Sequence, residues 1–97
     1  MIIRIVKMVF RPESVKDFEA LFRERKERIR AMPGCTHLEL LQETAQKTTF
    51  FTYSFWEKEA DLEYYRHSDF FKDTWSQTKA LFAEKAQAWS LEQKHVL

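Results

Sequence analysis

The sequence predicts an α+β fold in which one antiparallel sheet carries two helical regions, in the element order βαββαβ. Two observations lead to this prediction: short segments rich in β-branched and aromatic residues read as strands, and two longer segments repeat apolar residues at the helical period. No repeat, low-complexity run or linker interrupts the chain. Because 97 residues are too few for two independent cores, residues 1–97 are expected to form one domain.

The first strand is predicted over Ile2 to Phe10, a segment that is apolar apart from Arg4 and Lys7 and is rich in β-branched residues. Such a run indicates a strand that is largely buried on both faces. Arg11-Pro12 ends the strand, because proline has no N–H to donate to a neighbouring strand.

A long amphipathic helix is predicted next. Ser14, followed three residues later by Asp17, resembles a capping box and marks the start of this helix. The apolar side of the helix repeats at the helical period and comprises Val15, Phe18, Leu21, Phe22, Ile29 and Met32. Pro33-Gly34 ends the helix, since Gly34 is suited to the left-handed conformation that often follows a helix.

A hairpin is predicted from Thr36 to Trp56, with strands over Thr36 to Glu43 and Thr48 to Trp56 and a loop at Thr44 to Lys47. This loop length places on one face of the sheet the side chains of His37, Glu39, Leu41, Phe50, Thr52, Ser54 and Trp56. The other face then carries Leu38, Leu40, Phe51, Tyr53 and Phe55 and is wholly apolar.

The second helical region is predicted to break near His67-Ser68, where Ser68 can cap a further helix. Leu62 and Tyr65 share a helical face before the break, and after it the apolar stripe continues through Phe71, Trp75, Thr78 and Phe82. Ala88 to Leu97 is predicted as a closing edge strand. This order of elements is that of a ferredoxin-like fold.

The chain holds an unusually large number of aromatic residues: nine Phe, three Trp and three Tyr. Helices can cover only one face of the predicted sheet, yet both faces carry large apolar side chains. The simplest cover for the second face is the same sheet of another copy, so we expect a two-fold homodimer.

Charge and hydropathy exclude several classes of protein. The 16 Lys and Arg residues against 15 Asp and Glu give a net charge of +1, so a nucleic-acid partner is not expected. The longest apolar run, Ala80 to Ala83, is too short for a membrane span, and the N-terminus lacks the layout of a signal peptide. A cytoplasmic protein is expected. Cys35, the single cysteine, has no partner for an internal disulfide.

Four motifs resemble the antibiotic biosynthesis monooxygenase domain family over nearly the whole chain: Pro33-Gly34-Cys35, Tyr53-Ser54-Phe55-Trp56-Glu57, Asp61-Leu62 and Ser68-Asp69-Phe70-Phe71-Lys72. The resemblance implies a dimeric α+β barrel, in which the sheets of the two subunits meet, with a pocket between sheet and helices in each subunit. Activities differ within the family. Some members oxidise phenols or quinols with dioxygen and without metal or flavin, some degrade haem, and one relative handles a bacterial signalling molecule.

Individual positions indicate which of the family's activities this chain shares. The haem-degrading branch uses an Asn, a Trp and a His at positions where this chain has Val6, Tyr65 and Trp75, which argues against haem degradation. Many quinol-type members carry His at the position of Tyr65 and another near Phe70, and this chain has neither. Trp56 matches a Trp that some cofactor-free oxygenases place in their pocket.

An oxygenase without a cofactor needs a base that forms an electron-rich phenolate or enolate in a dry cavity. His37 and Glu39 project from the same strand face, so His37 is the candidate base and Glu39 its partner. Alternatively, the two are a polar pair on a half-buried strand or at a subunit interface.

The candidate substrate-binding residues are Thr52, as an orienting hydroxyl, and Trp56, Tyr65 and Trp75, as aromatic walls. Alternatively, these residues are the ordinary alternation of a strand and the core stripe of a helix. The histidines His37, His67 and His95 lack the spacing of metal ligands, so neither a metal nor another cofactor is expected.

The sequence therefore favours a cofactor-independent monooxygenase that acts on a small planar aromatic or quinol. The alternative is a module of the same fold that binds a small ligand, or only assembles, without catalysis.

Overall fold

The computed structural model describes residues 1–97 and contains one four-stranded antiparallel sheet with three helices. The strands are β1 (Ile2–Val9), β2 (Cys35–Gln42), β3 (Thr49–Trp56) and β4 (Gln87–Glu92), in the spatial order β2-β3-β1-β4. The helices are α1 (Val15–Arg30), α2 (Glu59–Arg66) and α3 (Asp69–Lys79). The predicted ferredoxin-like α+β fold is confirmed, with the second helical region divided into two helices.

The entry into α1 differs from the predicted capping box. A short 3₁₀ turn, Pro12–Ser14, precedes the helix, and the Ser14 side chain makes no capping hydrogen bond. The proline fixes the first turn in a helical conformation, which leaves Ser14 within the helical region of the backbone.

α1 ends at Arg30, earlier than the predicted end at Pro33-Gly34, so Met32 lies beyond the helix. Gly34 adopts a φ of 83°, a left-handed conformation that side chains disfavour, and it leads directly into β2. A Cβ atom at this position would meet the side chain of Asp61, so α2 approaches the turn closely. Gly34 therefore allows both the turn and the contact between the turn and α2.

The break between α2 and α3 lies at the predicted place. The Ser68 Oγ accepts a hydrogen bond from the Phe71 N–H at 3.1 Å and so caps α3. At the other end α3 stops at Lys79, so Phe82 lies beyond the helix, contrary to the predicted stripe, and forms an isolated bridge with Phe10. The closing strand is shorter than predicted and forms one edge of the sheet.

The register of the hairpin differs from the prediction by one residue. Glu39 pairs with Tyr53 rather than with Thr52, because the loop closes through a hydrogen bond from the Glu43 N–H to the Thr49 carbonyl at 2.9 Å. A register shift between Cys35 and His37 returns Cys35 to its place opposite Trp56. A shift of one residue exchanges the two faces of a strand, so the predicted shared face of His37, Glu39, Thr52 and Ser54 is wrong.

The two faces of the sheet differ in what covers them. One face, here called the covered face, lies beneath the helices and presents from the three longer strands Ile2, Arg4, Val6, Met8, Leu38, Leu40, Phe50, Thr52, Ser54 and Trp56. The opposite face, here called the open face, presents the side chains of Ile3, Ile5, Lys7, His37, Glu39, Leu41, Phe51, Tyr53, Phe55, Trp89 and Leu91. On the open face Leu41, Trp89 and Leu91 are 43%, 44% and 46% exposed.

Two separate clusters form the buried core under the helices. One contains Met8, Phe10, Phe18 and Phe50. The other contains Cys35, Trp56 and Leu62. Space is left between them, and this space is the site described below. None of the three helices is both long and apolar enough to cross a membrane.

Candidate functional site

A cavity of about 280 Å³ lies between the covered face of the sheet and the helices. Its floor is formed by alternate residues of the two central strands: Arg4, Val6 and Met8 from β1, and Thr52, Ser54 and Trp56 from β3. All three helices contribute to its roof, with Phe18, Phe22 and Ile29 from α1, Leu62, Tyr65 and Arg66 from α2, and Phe71, Thr74, Trp75 and Thr78 from α3. The lining is mostly apolar, as is usual for small-molecule sites.

A continuous row of aromatic rings forms one wall of this cavity. Trp56 stacks on Tyr65 with ring centroids 5.1 Å apart, and Tyr65 meets the edge of Phe71 at 5.0 Å. Phe71 in turn stacks on Trp75 at 6.0 Å. Outside the cavity lining, Trp75 contacts Phe82 edge-on at 5.6 Å. These distances are typical of stabilising aromatic pairs, so each ring is held in place by its neighbours.

Trp56 is held more firmly than the other rings of the wall. It is 1% exposed, and its indole Nε1–H donates a hydrogen bond of 3.0 Å to the Ser54 hydroxyl. Because its only polar group already has a partner, Trp56 offers a ligand an apolar surface and not a hydrogen bond.

Tyr65 and Thr52 supply the neutral polar groups of the cavity that suit an aromatic ligand. Burial raises the pKa of the Tyr65 phenol well above its ordinary value, so the group stays protonated at neutral pH and can donate a hydrogen bond. Thr52 lies at the middle of the floor, opposite Val6 of β1 and Leu40 of β2. Its position suits the orienting role predicted for it.

The structure therefore brings together four of the six residues predicted from the sequence, namely Thr52, Trp56, Tyr65 and Trp75. It does not bring His37 and Glu39 to this cavity. Their side chains pair with each other through His37 Nε2 and Glu39 Oε2 on the open face, where the His37 ring packs against Tyr53 and Phe55. The sheet lies between this pair and the cavity, as a result of the register shift in β2.

Two cavity residues that sequence reasoning missed are charged. Arg4 lines the floor and Arg66 lines the roof, and they are the only charged residues of the lining. The signal for Arg4 was present in the sequence, since a charged residue in an otherwise apolar, buried strand needs a polar surrounding or a ligand. Arg66 gives no such signal, because arginine is common in the last turn of a helix.

A family model described as antibiotic biosynthesis monooxygenase matches residues 1–76 of the chain. The chain belongs to this family. No curated protein matches it.

Solved structures agree with the fold of this antibiotic biosynthesis monooxygenase family member. The crystal structure of an antibiotic biosynthesis monooxygenase has a TM-score of 0.91 at 19% identity, covering 98% of this chain and 100% of that one. A conserved protein from Methanosarcina mazei Go1 has a TM-score of 0.90 at 23% identity, covering 97% and 94%. A protein from Mycobacterium tuberculosis has a TM-score of 0.90 at 17% identity, covering 98% and 96%. At identities this low, the likeness shows the fold.

The lining limits what the cavity of this family member can do chemically. The side chains that can exchange a proton or carry a charge there are Tyr65, Arg4 and Arg66. Tyrosine with a raised pKa and arginine are donors at neutral pH, so the cavity can hold and polarise an oxygen atom. It contains no His, Asp or Glu side chain that can accept a proton from a ligand.

Proposed function

We propose that this family member binds a small planar aromatic phenol or quinol in the cavity and oxidises it with dioxygen, without a cofactor. The observation that carries the proposal is the row of fixed aromatic rings along a largely apolar cavity. A planar ring gains most from such a wall, since offset stacking adds to the apolar area it buries.

The size of the cavity supports a ligand of about two rings. A cavity of about 150 Å³ in another protein accommodates benzene, and the cavity here is about 280 Å³. The substrate class is therefore a monocyclic or bicyclic phenol or quinol, and larger polycyclic ring systems need an opening of the helices.

The proposed reaction is balanced by the substrate and dioxygen alone. For a bicyclic phenol such as 1-naphthol, one oxygen atom of dioxygen replaces the hydrogen opposite the hydroxyl group, and the other leaves as water. The phenol loses its O–H proton in the same sequence and becomes a 1,4-quinone, and it supplies all four electrons that dioxygen accepts.

Residues of this chain contribute positioning and exclusion of water to this reaction. Thr52 and Tyr65 hold the phenol oxygen by hydrogen bonds, and the walls formed by Trp56 and Trp75 fix the plane of the ring. The apolar lining keeps water from the reactive phenolate and its oxygen adduct. The phenol proton passes to solvent, because the candidate base His37 lies across the sheet.

One observation favours the second candidate function, a binding module without catalysis. The cavity lining holds no His, Asp or Glu to take up the substrate proton. In that case the same residues bind the same class of aromatic ligand, and dioxygen is not consumed.

The test measures binding and oxygen consumption with the same ligand. 1-Naphthol is titrated into the protein with tryptophan fluorescence as the signal, and dioxygen uptake and 1,4-naphthoquinone formation are then followed against a protein-free control. Uptake of one dioxygen per quinone, reduced in Trp75→Ala, supports the oxygenase. The matched control is Tyr64→Ala, since Tyr64 is an exposed aromatic residue of α2 outside the cavity lining. Binding without uptake favours the binding module, and absence of binding contradicts both functions.

We further propose that the protein is a homodimer that meets its second copy through the open face. The apolar residues there, including the exposed Trp89 and Leu91, are a surface that water disfavours. A second copy covers such a face by two-fold symmetry, each sheet against the other. The cytoplasmic location expected from the sequence stays a prediction.

A further inference from the structure

The cavity is positively charged at one end. Arg4 and Arg66 are its only charged lining residues, and no Asp or Glu side chain lines it. Because both charges of the lining have the same sign and most of the other lining residues are apolar, the cavity attracts a ligand of opposite charge.

Arg4 forms no ion pair, although the charge of Glu63 is near enough to act on it. It lies on the covered face of β1, opposite Ser54 of β3 and Ser90 of β4, and its Nη1 donates a hydrogen bond of 3.0 Å to the Ser90 hydroxyl. Partial burial lowers the pKa of Arg4, and the nearby charge of Arg66 lowers it further. A partly buried guanidinium group that is in contact with no carboxylate gains from an anion placed beside it.

Arg66 is only partly neutralised. Its Nη1 forms an ion pair with Glu63 Oε1 at 2.9 Å, one turn earlier on α2. Glu63 also lies near His67, with 3.8 Å between Glu63 Oε2 and His67 Nδ1, and it is outside the cavity lining. With one carboxylate close to two guanidinium groups, one positive charge remains for a ligand.

From this arrangement we infer that the ligand of the cavity is an aromatic carboxylate, a planar phenol or quinol that also bears a carboxylate group held by Arg4 and Arg66. The inference rests on the proposed function, because it concerns the same cavity, and it names the substrate class of that site. Arginine can hold a carboxylate through two parallel hydrogen bonds, which fixes direction as well as distance.

The position of Arg4 also sets the orientation of the ligand. Arg4 is adjacent across the sheet to Ser54, which in turn is hydrogen bonded to Trp56. A carboxylate at Arg4 therefore places its ring beside the stacked pair Trp56 and Tyr65, with the far end of the ring toward Phe22 and Trp75. The acidic group lies at the charged end and the reactive ring at the apolar end.

The inference is tested with two ligands of equal shape, 2-naphthoate and the neutral 2-naphthalenemethanol. Their dissociation constants are measured by calorimetry at pH 7 for the unaltered protein, Arg4→Gln, Arg66→Gln and a control variant, Arg23→Gln. Arg23 is exposed on α1 and lies outside the cavity lining. Urea denaturation of each variant shows whether it is folded.

The expected result is that the dissociation constant of 2-naphthoate is at least about tenfold lower than that of the alcohol, because hydrogen bonds to a charged group are stronger than those to a neutral one. Arg4→Gln removes this preference, Arg66→Gln reduces it, and Arg23→Gln leaves it unchanged. Equal affinities in the unaltered protein overturn the inference and leave the aromatic site intact. If Arg4→Gln lowers the affinity for both ligands by the same factor, the inference is also overturned, because Arg4 then acts only through the shape of the site. If neither ligand binds, the proposed function fails as well.

Discussion

Trp56 and Tyr65 stack with their ring centroids 5.1 Å apart and their planes inclined by 20°. The first ring belongs to the last residue of β3 and the second to α2, so the stack joins the sheet to the helix. The same two rings form part of the cavity wall. Stability and ligand binding are therefore coupled at this contact.

Replacement of Tyr65 separates these two roles. Tyr65→Ala is expected to lower the free energy of unfolding by up to about 3–5 kcal/mol, the cost of removing a fully buried aromatic ring, because Tyr65 itself is partly buried. Tyr65→Phe keeps the stack and is expected to cost less than about 1.5 kcal/mol, the usual limit for a swap of similar shape. Urea denaturation measures both. The control is Tyr64→Ala, because Tyr64 is 64% exposed and its loss is expected to change stability by about 0.5 kcal/mol or less.

Alkaline pH is expected to destabilise the protein through Tyr65 and Cys35. Burial raises the pKa of both groups, so the folded state favours their neutral forms. The stability that they contribute is complete below the pKa values of the unfolded chain, about 8.5 for Cys and about 10 for Tyr, and declines as the pH rises beyond them. Urea denaturation between pH 7 and 10.5 measures the decline, which Tyr65→Phe is expected to reduce. An equal decline in the variant contradicts the assignment to Tyr65.

His37→Ala is expected to leave ligand binding in the cavity unchanged. The His37 ring packs against Phe55 on the open face, and the sheet separates it from the cavity. Titration with 1-naphthol is expected to give dissociation constants within about twofold of the unaltered protein, and Thr52→Val is the comparison that alters the cavity floor. Unchanged binding together with lost dioxygen uptake restores His37 as the base predicted from the sequence.

Gly34→Ala is expected to destabilise the protein by about 2 kcal/mol or more. A residue with a side chain in a left-handed conformation costs about 1–3 kcal/mol, and here the new methyl group also meets Asp61. Chemical denaturation measures the loss. Adding Asp61→Ala to the variant removes the carboxyl group from the collision, so part of the loss is recovered while the backbone cost remains. A stability equal to that of the unaltered protein contradicts the structure of this turn.

Leu91→Glu is expected to separate the proposed dimer into monomers that remain folded. Leu91 is 46% exposed on the open face, so a charge there is tolerated in a monomer and opposes burial against a second copy. Sedimentation velocity at micromolar concentration measures the assembly. Tyr64→Glu, at an exposed site on α2, is the control. A monomeric unaltered protein, or a variant that remains dimeric, argues against this interface.

Local signals made the elements of this fold predictable from the sequence. Gly34 and Ser68 act through their own backbone or side chain, so a turn and a helix cap follow directly from their positions. The strand position of Trp56 likewise follows from alternation along a strand, and the helix face of Tyr65 follows from periodicity along a helix. These signals depend on a few neighbouring residues, and four of the predicted site residues rest on them.

The hairpin register could not be predicted in the same way. It depends on how the loop closes between Glu43 and Thr49, where two loop lengths fit the same residues, and on the irregularity that returns Cys35 to its place opposite Trp56. A choice between two loop lengths that differ by one residue moved His37 to the other face of the sheet. The positive end of the cavity was also missed, because Arg4 and Arg66 are far apart in sequence and meet only through the fold.

The alternation of β3 between the covered and open faces imposes two independent constraints on one short segment. Even-numbered positions such as Thr52 are constrained by whatever occupies the cavity, and odd-numbered positions such as Tyr53 by whatever covers the other face. A point substitution in β3 thus disturbs one of these requirements and spares the other. Deletion of a single residue in β3 exchanges the two faces and disturbs both the cavity lining and the open face. This strand therefore tolerates substitutions far better than insertions or deletions.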